Sequence, residues 1–580
     1  MKHLVLFTAL LLAGCVIPTN RSEHQTAMVV TANPLATAAG EAILNRGGSA
    51  VDAAVAVQAV LGLVEPQSSG LGGGGFLTYY DASSRSVSVY DGRETAPAAA
   101  TPDMFIKPDG EKLKFLAAKH SGLSTGVPGM VSMLSLAHQD HGRLQWADLF
   151  EGAIEHAEDG FAVSPRLHAS VTRFGKHIPA SVEEGPLDAR NYLMDESGAP
   201  LAVGTVLRNR DYASSLRAIA DDPRAIYEGE LARQIVAAVS QEPRAGSLSL
   251  EDMQDYEARR QSPVCVTYRG HQVCGPPPAS SWLTVAMILK LIEAAPAFTE
   301  GGAEDPLNWS IFIQAQRLAY ADRDRYVADD EFVDVPLSGL LSSGYTQTRA
   351  GSISLTEPQS DAGVAAGDPL QFDRSASMRF GHDDSVDAAG TTHFVIVDSA
   401  GNVVSLTASV ESIFGSTRMA GGMLLNNQLT DFSFKAVDAD GVRIANRAAP
   451  GKRPRSSMSP TVVLDGTGRF LMATGSPGGS SIIAYTAKTL VGVLDWGLSP
   501  QEAVNLPNVV ARRGKVRVEE SRATPELLDA LASYGFTIKK SSGENSGLSV
   551  VVRAADGSLA GGVDPRREGT IAVIGKPIAQ

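Results

Sequence analysis

Residues 387–398 read Asp387-Ala388-Ala389-Gly390-Thr391-Thr392-His393-Phe394-Val395-Ile396-Val397-Asp398. Phe394 to Val397 is an unbroken apolar run bounded by polar residues, the pattern of a buried strand. Upstream, from about 357 to 390, Asp, Ser, Gly and Ala dominate and large apolar residues are few, so that stretch reads as loop. Thr391 therefore stands at a loop-to-strand junction, and one reading is that it simply opens the strand. The other reading comes from its chemistry. A cut after Gly390 would make Thr391 a new N-terminus, with an α-amine that titrates near neutrality beside its own hydroxyl. Nucleophile and base would then sit in one residue.

The residues that follow separate the two readings. Gly401-Asn402 marks a hairpin-type turn before the run Val403 to Ser409. Then come Phe414-Gly415-Ser416, the stretch Leu424-Leu425-Asn426-Asn427-Gln428-Leu429-Thr430-Asp431-Phe432-Ser433, and Gly451-Lys452-Arg453-Pro454-Arg455-Ser456-Ser457-Met458-Ser459-Pro460. Thr474-Gly475-Ser476-Pro477-Gly478-Gly479-Ser480 closes the series. In this order the motifs resemble the small subunit of the γ-glutamyltranspeptidases (glutathione hydrolases), a family of N-terminal-nucleophile hydrolases. Earlier pieces resemble the same family: Gly47-Gly48-Ser49-Ala50-Val51-Asp52-Ala53-Ala54, Glu65-Pro66 through the glycine run Gly70 to Gly75, Arg93-Glu94-Thr95-Ala96-Pro97, and Gly126-Val127-Pro128-Gly129. The likeness spans nearly everything after about residue 27.

The resemblance implies a four-layer αββα sandwich, an α/β layered fold built from a large chain, 27–390, and a small catalytic chain, 391–580. It implies that the Thr391 hydroxyl attacks the Gly390 carbonyl, cutting the precursor, and then serves as nucleophile on a γ-glutamyl amide. Glycine at 390 adds little bulk before the nucleophile. Ser409 stands where the family usually has a second threonine bonded to the nucleophile, so the hydroxyl is kept. Gly478 and Gly479 match the pair whose N–H groups form the oxyanion hole, where the backbone must approach substrate closely. Arg93 matches the arginine for the donor's α-carboxylate, a role that suits a forked guanidinium. Ser456 and Ser457 match the serines on the same carboxylate, and Gln428 and Asp431 the residues for the α-ammonium. Outside these motifs, each would read as an ordinary surface or capping residue.

Three departures bear on specificity. Glu411 replaces an asparagine beside the ammonium position and is expected to add a second negative charge there, favouring γ-glutamyl over glutaryl donors. The alternative is that it faces solvent or pairs with Arg418. The segment from Phe434 to Gly451 is shorter than the lid of some relatives and has no tyrosine. Ser280-Ser281-Trp282 places a bulky ring where the family has glycine, near a normally open turn.

At 580 residues the chain exceeds one ordinary core, and 43% hydrophobic with 20% charged residues is globular. A net charge of −14 without a basic run argues against nucleic acid as a partner. No cofactor or metal site is read: His393 follows the nucleophile and the other histidines do not cluster at ligand spacing. The expected partners are small γ-glutamyl donors, water and amino-acid or peptide acceptors, and the two chains of one precursor.

Lys2 and His3 precede a short apolar run, Leu4 to Leu12, too short to span a bilayer. Leu12-Ala13-Gly14-Cys15 resembles the bacterial lipoprotein box, which implies removal of 1–14, lipid on Cys15 and a polar tether over about 15–26. An ordinary cleaved leader is the alternative. Val16 rather than aspartate after the cysteine favours the outer membrane, facing the periplasm, where the lipid would be the only membrane attachment. Cys265 and Cys274 flank a hairpin turning at Arg269-Gly270. In that register they face each other at a non-hydrogen-bonded pair, close enough for a disulfide in an oxidising compartment, or for two packed thiols.

Residues 27–63 read as helix-rich, and helices are expected near 130–139, 144–158, 284–293 and 311–326. Strands are expected at 76–80, 394–397, 403–407, 461–464 and 470–473. The run Gly70 to Gly75 lacks a P-loop's Lys-Ser/Thr ending and leads into a strand, which excludes a phosphate cradle of that kind. Two rivals remain beside the hydrolase reading: an acylase of the same fold acting on glutaryl or β-lactam side-chain amides, and an inactive lipoprotein that binds γ-glutamyl peptides.

Overall fold

In a computed structural model of the protein, residues 27–575 are described except 179–187, 296–297, 299–300, 357–362, 374–377, 386–387 and 543–545. The leader, Cys15 and the tether lie outside the described residues.

Two antiparallel sheets form the centre. The first runs edge to edge Thr570–Ile574, Ala27–Thr31, Gly390–Val397, Val403–Glu411, Gly74–Asp81, Ser86–Asp91 and Arg259–Gln261. The second runs Leu559–Val563, Ser549–Arg553, Phe470–Gly475, Thr461–Leu464, His271–Gly275 and Val264–Tyr268. Side-chain alternation assigns the layers. Val395 and Val397, with Met28 and Val30, turn inward to meet Val462, Ala473 and Val551 of the second sheet. Phe394 and Ile396 turn outward onto the helix Ala50–Val64. On the far side, Val463, Met472 and Val550 pack against the helices Trp282–Ala294, Pro306–Tyr326 and Ile482–Leu494. Helix, sheet, sheet and helix are therefore stacked in four layers. The central strands are apolar on both faces, which is why 394–397 reads as a continuous run instead of an alternating one.

Ala27–Thr31 corrects the sequence reading, which placed it in a helical region. It is a fully buried strand between Gly390–Val397 and Thr570–Ile574. Ala27 to Val30, apolar on both faces, carry no alternation, and the alanine-rich helices Pro34–Asn45 and Ala50–Val64 follow closely. The motif at 47–54 has a structural basis. Ser49 and Asp52 form a capping box at the start of Ala50–Val64, and Asp398, just after the strand that carries Thr391, accepts from the Ala50 N–H at 3.2 Å. The glycine run has one too. A Cβ on Gly73 would lie 2.1 Å from the Ser409 carbonyl oxygen, so the two backbones meet at a distance only glycine allows.

The hairpin Val264–Tyr268/His271–Gly275 pairs Cys265 with Cys274, Cα atoms 4.2 Å apart, in a disulfide. Arg269 and Gly270 both have positive φ, the geometry of a two-residue hairpin turn.

Candidate active site

Strand pairing brings the first two groups together. Gly390–Val397 and Val403–Glu411 are antiparallel neighbours, and the register sets Thr391 opposite Ser409. Thr391 Oγ1 and Ser409 Oγ are 3.2 Å apart, and Ser409 Oγ donates to the Gly390 carbonyl oxygen at 2.8 Å. One hydroxyl thus reaches both the Thr391 hydroxyl and the carbonyl of the residue before it. A Cβ on Gly390 would fall 2.3 Å from the Ser412 carbonyl carbon, so only glycine fits before Thr391.

The register shifts between Ser409 and Glu411, a bulge that swings the chain away from the ladder. Glu411, Phe414 and Thr417 all have positive φ, a cluster of strain immediately after the strand that carries Ser409. Glu411 is buried, and its carboxyl accepts from Ser412 Oγ and Asn427 Nδ2, both at 2.5 Å, and from the Ala388 N–H at 3.1 Å. Arg418 is not its partner, because Arg418 donates to the Ala238 carbonyl at 2.7 Å. Burial, and then the charge of Asp431, push the Glu411 carboxyl up to about 8. Burial and the Asp431 carboxylate thus both disfavour the second negative charge expected at this position.

Arg93 follows the strand Ser86–Asp91, and Asp91 Oδ1 accepts its backbone N–H at 2.7 Å. The guanidinium is 1% exposed and donates to Asp431 Oδ2 at 2.6 Å, to the Arg455 carbonyl at 2.9 Å and to the Pro454 carbonyl at 3.0 Å. Gln428 Nε2 donates to the same Asp431 oxygen at 2.9 Å. Five residues from three motifs thus form one buried cluster around the Arg93 charge. Ser456 and Ser457 extend the segment whose carbonyls bind Arg93. Ser457 Oγ accepts from Arg323 Nη2 at 2.7 Å, and Arg323 Nε donates to Ser281 Oγ at 2.9 Å.

Gly478 and Gly479 form the turn between Phe470–Gly475 and the helix Ile482–Leu494. Gly478 has φ +137°, and a Cβ there would meet the Tyr485 ring at 2.6 Å. Their N–H groups lie at the start of that helix, where backbone dipoles favour negative charge.

The Trp282 ring departs from its expected place. It is fully buried behind the site, its Nε1 donating to Thr461 Oγ1 at 3.0 Å, and it covers Gly275 so closely that a Cβ there would sit 2.1 Å away. The large apolar ring is drawn into the core between helix and sheet. The segment after Phe434 is pinned flat: Phe434 stacks on Phe105, centroids 4.4 Å apart, and Asp438 accepts from the His382 N–H at 3.2 Å. His393 is buried under Gly475, shares a 2.9 Å hydrogen bond with Thr407, and is pushed down to about 3 by burial, so it is a neutral packing residue.

Sequence reasoning gave three further groups that build the site no role: Asn427 and Glu94 were quoted only as parts of longer motifs, and Arg323 lies outside every motif. Asn427 fixes Glu411 and Arg323 fixes Ser457. Glu94, beside Arg93, is fully buried and pushed up to about 8 by burial.

The comparisons with known proteins agree with this arrangement. A family model described as Gamma-glutamyltranspeptidase matches residues 36–574. The chain is 34% identical to the glutathione hydrolase proenzyme of Escherichia coli (strain K12) over 93% of its own length and 90% of that protein. It is 32% identical to the acylase ACY 1 proenzyme of Pseudomonas sp. (strain V22), over 95% and 94%. The structure matches that of cephalosporin acylase from Bacillus halodurans with a TM-score of 0.80 at 25% identity, covering 98% of this chain and 99% of that one. A threonine placed with its serine partner at a loop-to-strand junction, a buried Arg–Asp pair and a match across the chain lead to one assignment: the chain belongs to the γ-glutamyltranspeptidase family.

Proposed function

We propose that the protein is a glutathione hydrolase and γ-glutamyltransferase, cut by itself between Gly390 and Thr391 into a large chain ending at Gly390 and a small chain starting at Thr391. The Thr391 hydroxyl gives its proton to the freed α-amine as Oγ1 attacks the γ-carbonyl. The amine returns that proton to the departing nitrogen, and water or an amine acceptor then resolves the ester. Gly478 and Gly479 receive the developing oxyanion.

The Arg93–Asp431 pair carries the substrate assignment. A γ-glutamyl donor brings one carboxylate and one ammonium on the same carbon. Exchanging the Arg93–Asp431 contact for Arg93–carboxylate and Asp431–ammonium contacts leaves every charge partnered. A glutaryl donor has the carboxylate but no ammonium, and its binding would leave Asp431 without that exchange. The likeness to the ACY 1 and cephalosporin acylases favours the second reading, an acylase. Matched γ-glutamyl and glutaryl anilides decide between them. A preference for the γ-glutamyl compound of roughly tenfold or more in kcat/KM is expected, from one charge-assisted contact worth about 1.5–3 kcal/mol. Equal rates, or a glutaryl preference, assign the acylase.

The leader resemblance supports lipid attachment at Cys15 and a periplasmic face. Intact-mass measurement of membrane-extracted protein is expected to show a diacylglycerol-modified Cys15, and Cys15→Ala is expected to release the protein from the membrane fraction. An unmodified Cys15, or a chain beginning elsewhere, sinks that assignment.

A further inference from the structure

Arg567 lies between the last two strands, Leu559–Val563 and Thr570–Ile574. Its Nη1 donates to the Thr391 carbonyl oxygen at 2.8 Å, and its Nε donates to the Ser546 carbonyl at 3.2 Å. The side chain runs past Gly547, where a Cβ would meet Arg567 Nε at 2.5 Å and Pro477 at 2.8 Å. Arg567 therefore bonds the nucleophile residue itself and passes beside the segment that leads into the Gly478–Gly479 turn. Within one residue the carbonyl oxygen and backbone nitrogen are close neighbours, so this guanidinium sits on the order of 4–6 Å from the nitrogen that cleavage converts to an amine.

Among the described residues, the carboxylates that face Arg567 are Glu65 and Asp564, and each is shared with a second arginine. On the helix side, Glu65 accepts from Thr392 Oγ1 at 3.5 Å but is also bound to Arg166 at 2.5 Å. Arg566 is bound to Asp564 at 3.0 Å and to Glu519 at 2.6 Å. On the strand side, Ser409 is uncharged and His393 is neutral. Beyond them, Glu411 is held up to about 8 with Lys119 as its coulombic neighbour, and Asp431 is bound to Arg93. Burial, and then the Arg166 charge, lower the Arg567 guanidinium to about 9, which leaves it charged at neutral pH.

We propose that Arg567 is a positioning residue for the amine base: its hydrogen bond fixes the Thr391 backbone, and its charge keeps the freed α-amine unprotonated at neutral pH. The inference rests on the N-terminal-nucleophile reading above. A cation at this range disfavours the ammonium form, so the amine titrates below an ordinary α-amine. Only the neutral amine can accept the hydroxyl proton. Lowering its pKa therefore extends activity to lower pH, and removing the Arg567 charge moves the acid limb of the rate profile upward.

Wild-type enzyme gives the first test. pH-dependent trace acetylation of the small chain, read by mass spectrometry on its N-terminal peptide, should show the Thr391 amine titrating about one unit below the ordinary range of roughly 7.7–8.0. The second test is the acid limb of kcat/KM. Arg567→Gln, which keeps a donor for the carbonyl, should raise it by about one unit, and Arg567→Lys, which keeps the charge, should hold it near wild type. An amine titrating at or above about 8 overturns the proposal, as does a limb unmoved in the Gln variant or moved equally in both. If the Gln variant is not cut, the wild-type titration decides alone. A small chain that does not begin at Thr391 overturns the N-terminal-nucleophile reading itself, a result distinct from an intact terminus with an ordinary amine.

Discussion

Thr391→Ala is expected to yield one uncut chain with no measurable hydrolysis, where the wild type separates into two fragments on a denaturing gel. The smaller fragment, residues 391–580, has 190 residues and should give Thr as its first residue on N-terminal sequencing. The effect is large because one hydroxyl serves both steps. Without Oγ1 nothing attacks the Gly390 carbonyl, although Ser409 Oγ still donates to that oxygen. With no cut there is no free amine, and the segment before Thr391 stays in place, its Ala388 N–H bound to Glu411. Loss of a nucleophile typically costs on the order of 10⁴-fold or more, and here loss of the base accompanies it. The fold should survive. Thr391 is one buried position in a strand whose backbone pairing does not use the hydroxyl, so thermal unfolding should shift by only a few degrees. An active wild type that remains a single chain would end the mechanism, because its base would not exist.

What could be read in the sequence divides along a physical line. The run Phe394 to Val397 was legible because a strand apolar on both faces leaves a local mark. The motifs around Asp431, Ser457 and Gly478 were legible because each is contiguous and their order resembles a known family. Ala27–Thr31 was not, since its five residues become a strand only by pairing with Val395–Val397 and with Thr570–Ile574, more than 360 positions away. Arg567 reaches Thr391 across 176 residues and Arg323 reaches Ser457 across 134. No periodicity or cap reports such contacts, and in the sequence each arginine is one of many. Glu411 was legible as a departure, but not its ionisation, because burial and the Asp431 charge that raise it belong to the folded site. Trp282 shows the same limit. Its bulk suggested an obstructed turn, and the core took the ring instead.

Arg93→Gln is the second large effect expected, and stability and catalysis should respond to it differently. Arg93 is enclosed with Asp431 bound at 2.6 Å and Glu94 at 3.9 Å, and Asp431 in turn raises Glu411. Removing the guanidinium takes the principal cation from a group of buried carboxyls. Breaking such a pair from one side costs about 3–5 kcal/mol, since the remaining charge stays buried. Catalysis loses the forked contact to the donor's α-carboxylate. Two charge-assisted hydrogen bonds together support roughly 10²–10³-fold in kcat/KM on a γ-glutamyl anilide. Arg93→Lys keeps the charge but not the fork, and should fall between the two. The double variant Arg93→Gln/Asp431→Asn separates the causes. Removing both partners relieves the buried charge, so the melting temperature should return most of the way to wild type, while kcat/KM stays low because neither the carboxylate nor the ammonium is received. A double variant as unstable as the single one would mean that Arg93 acts chiefly through its bonds to the Pro454 and Arg455 carbonyls. Undiminished kcat/KM in Arg93→Gln would remove this arginine from the donor site, and with it the argument that the Arg93–Asp431 pair marks a γ-glutamyl substrate.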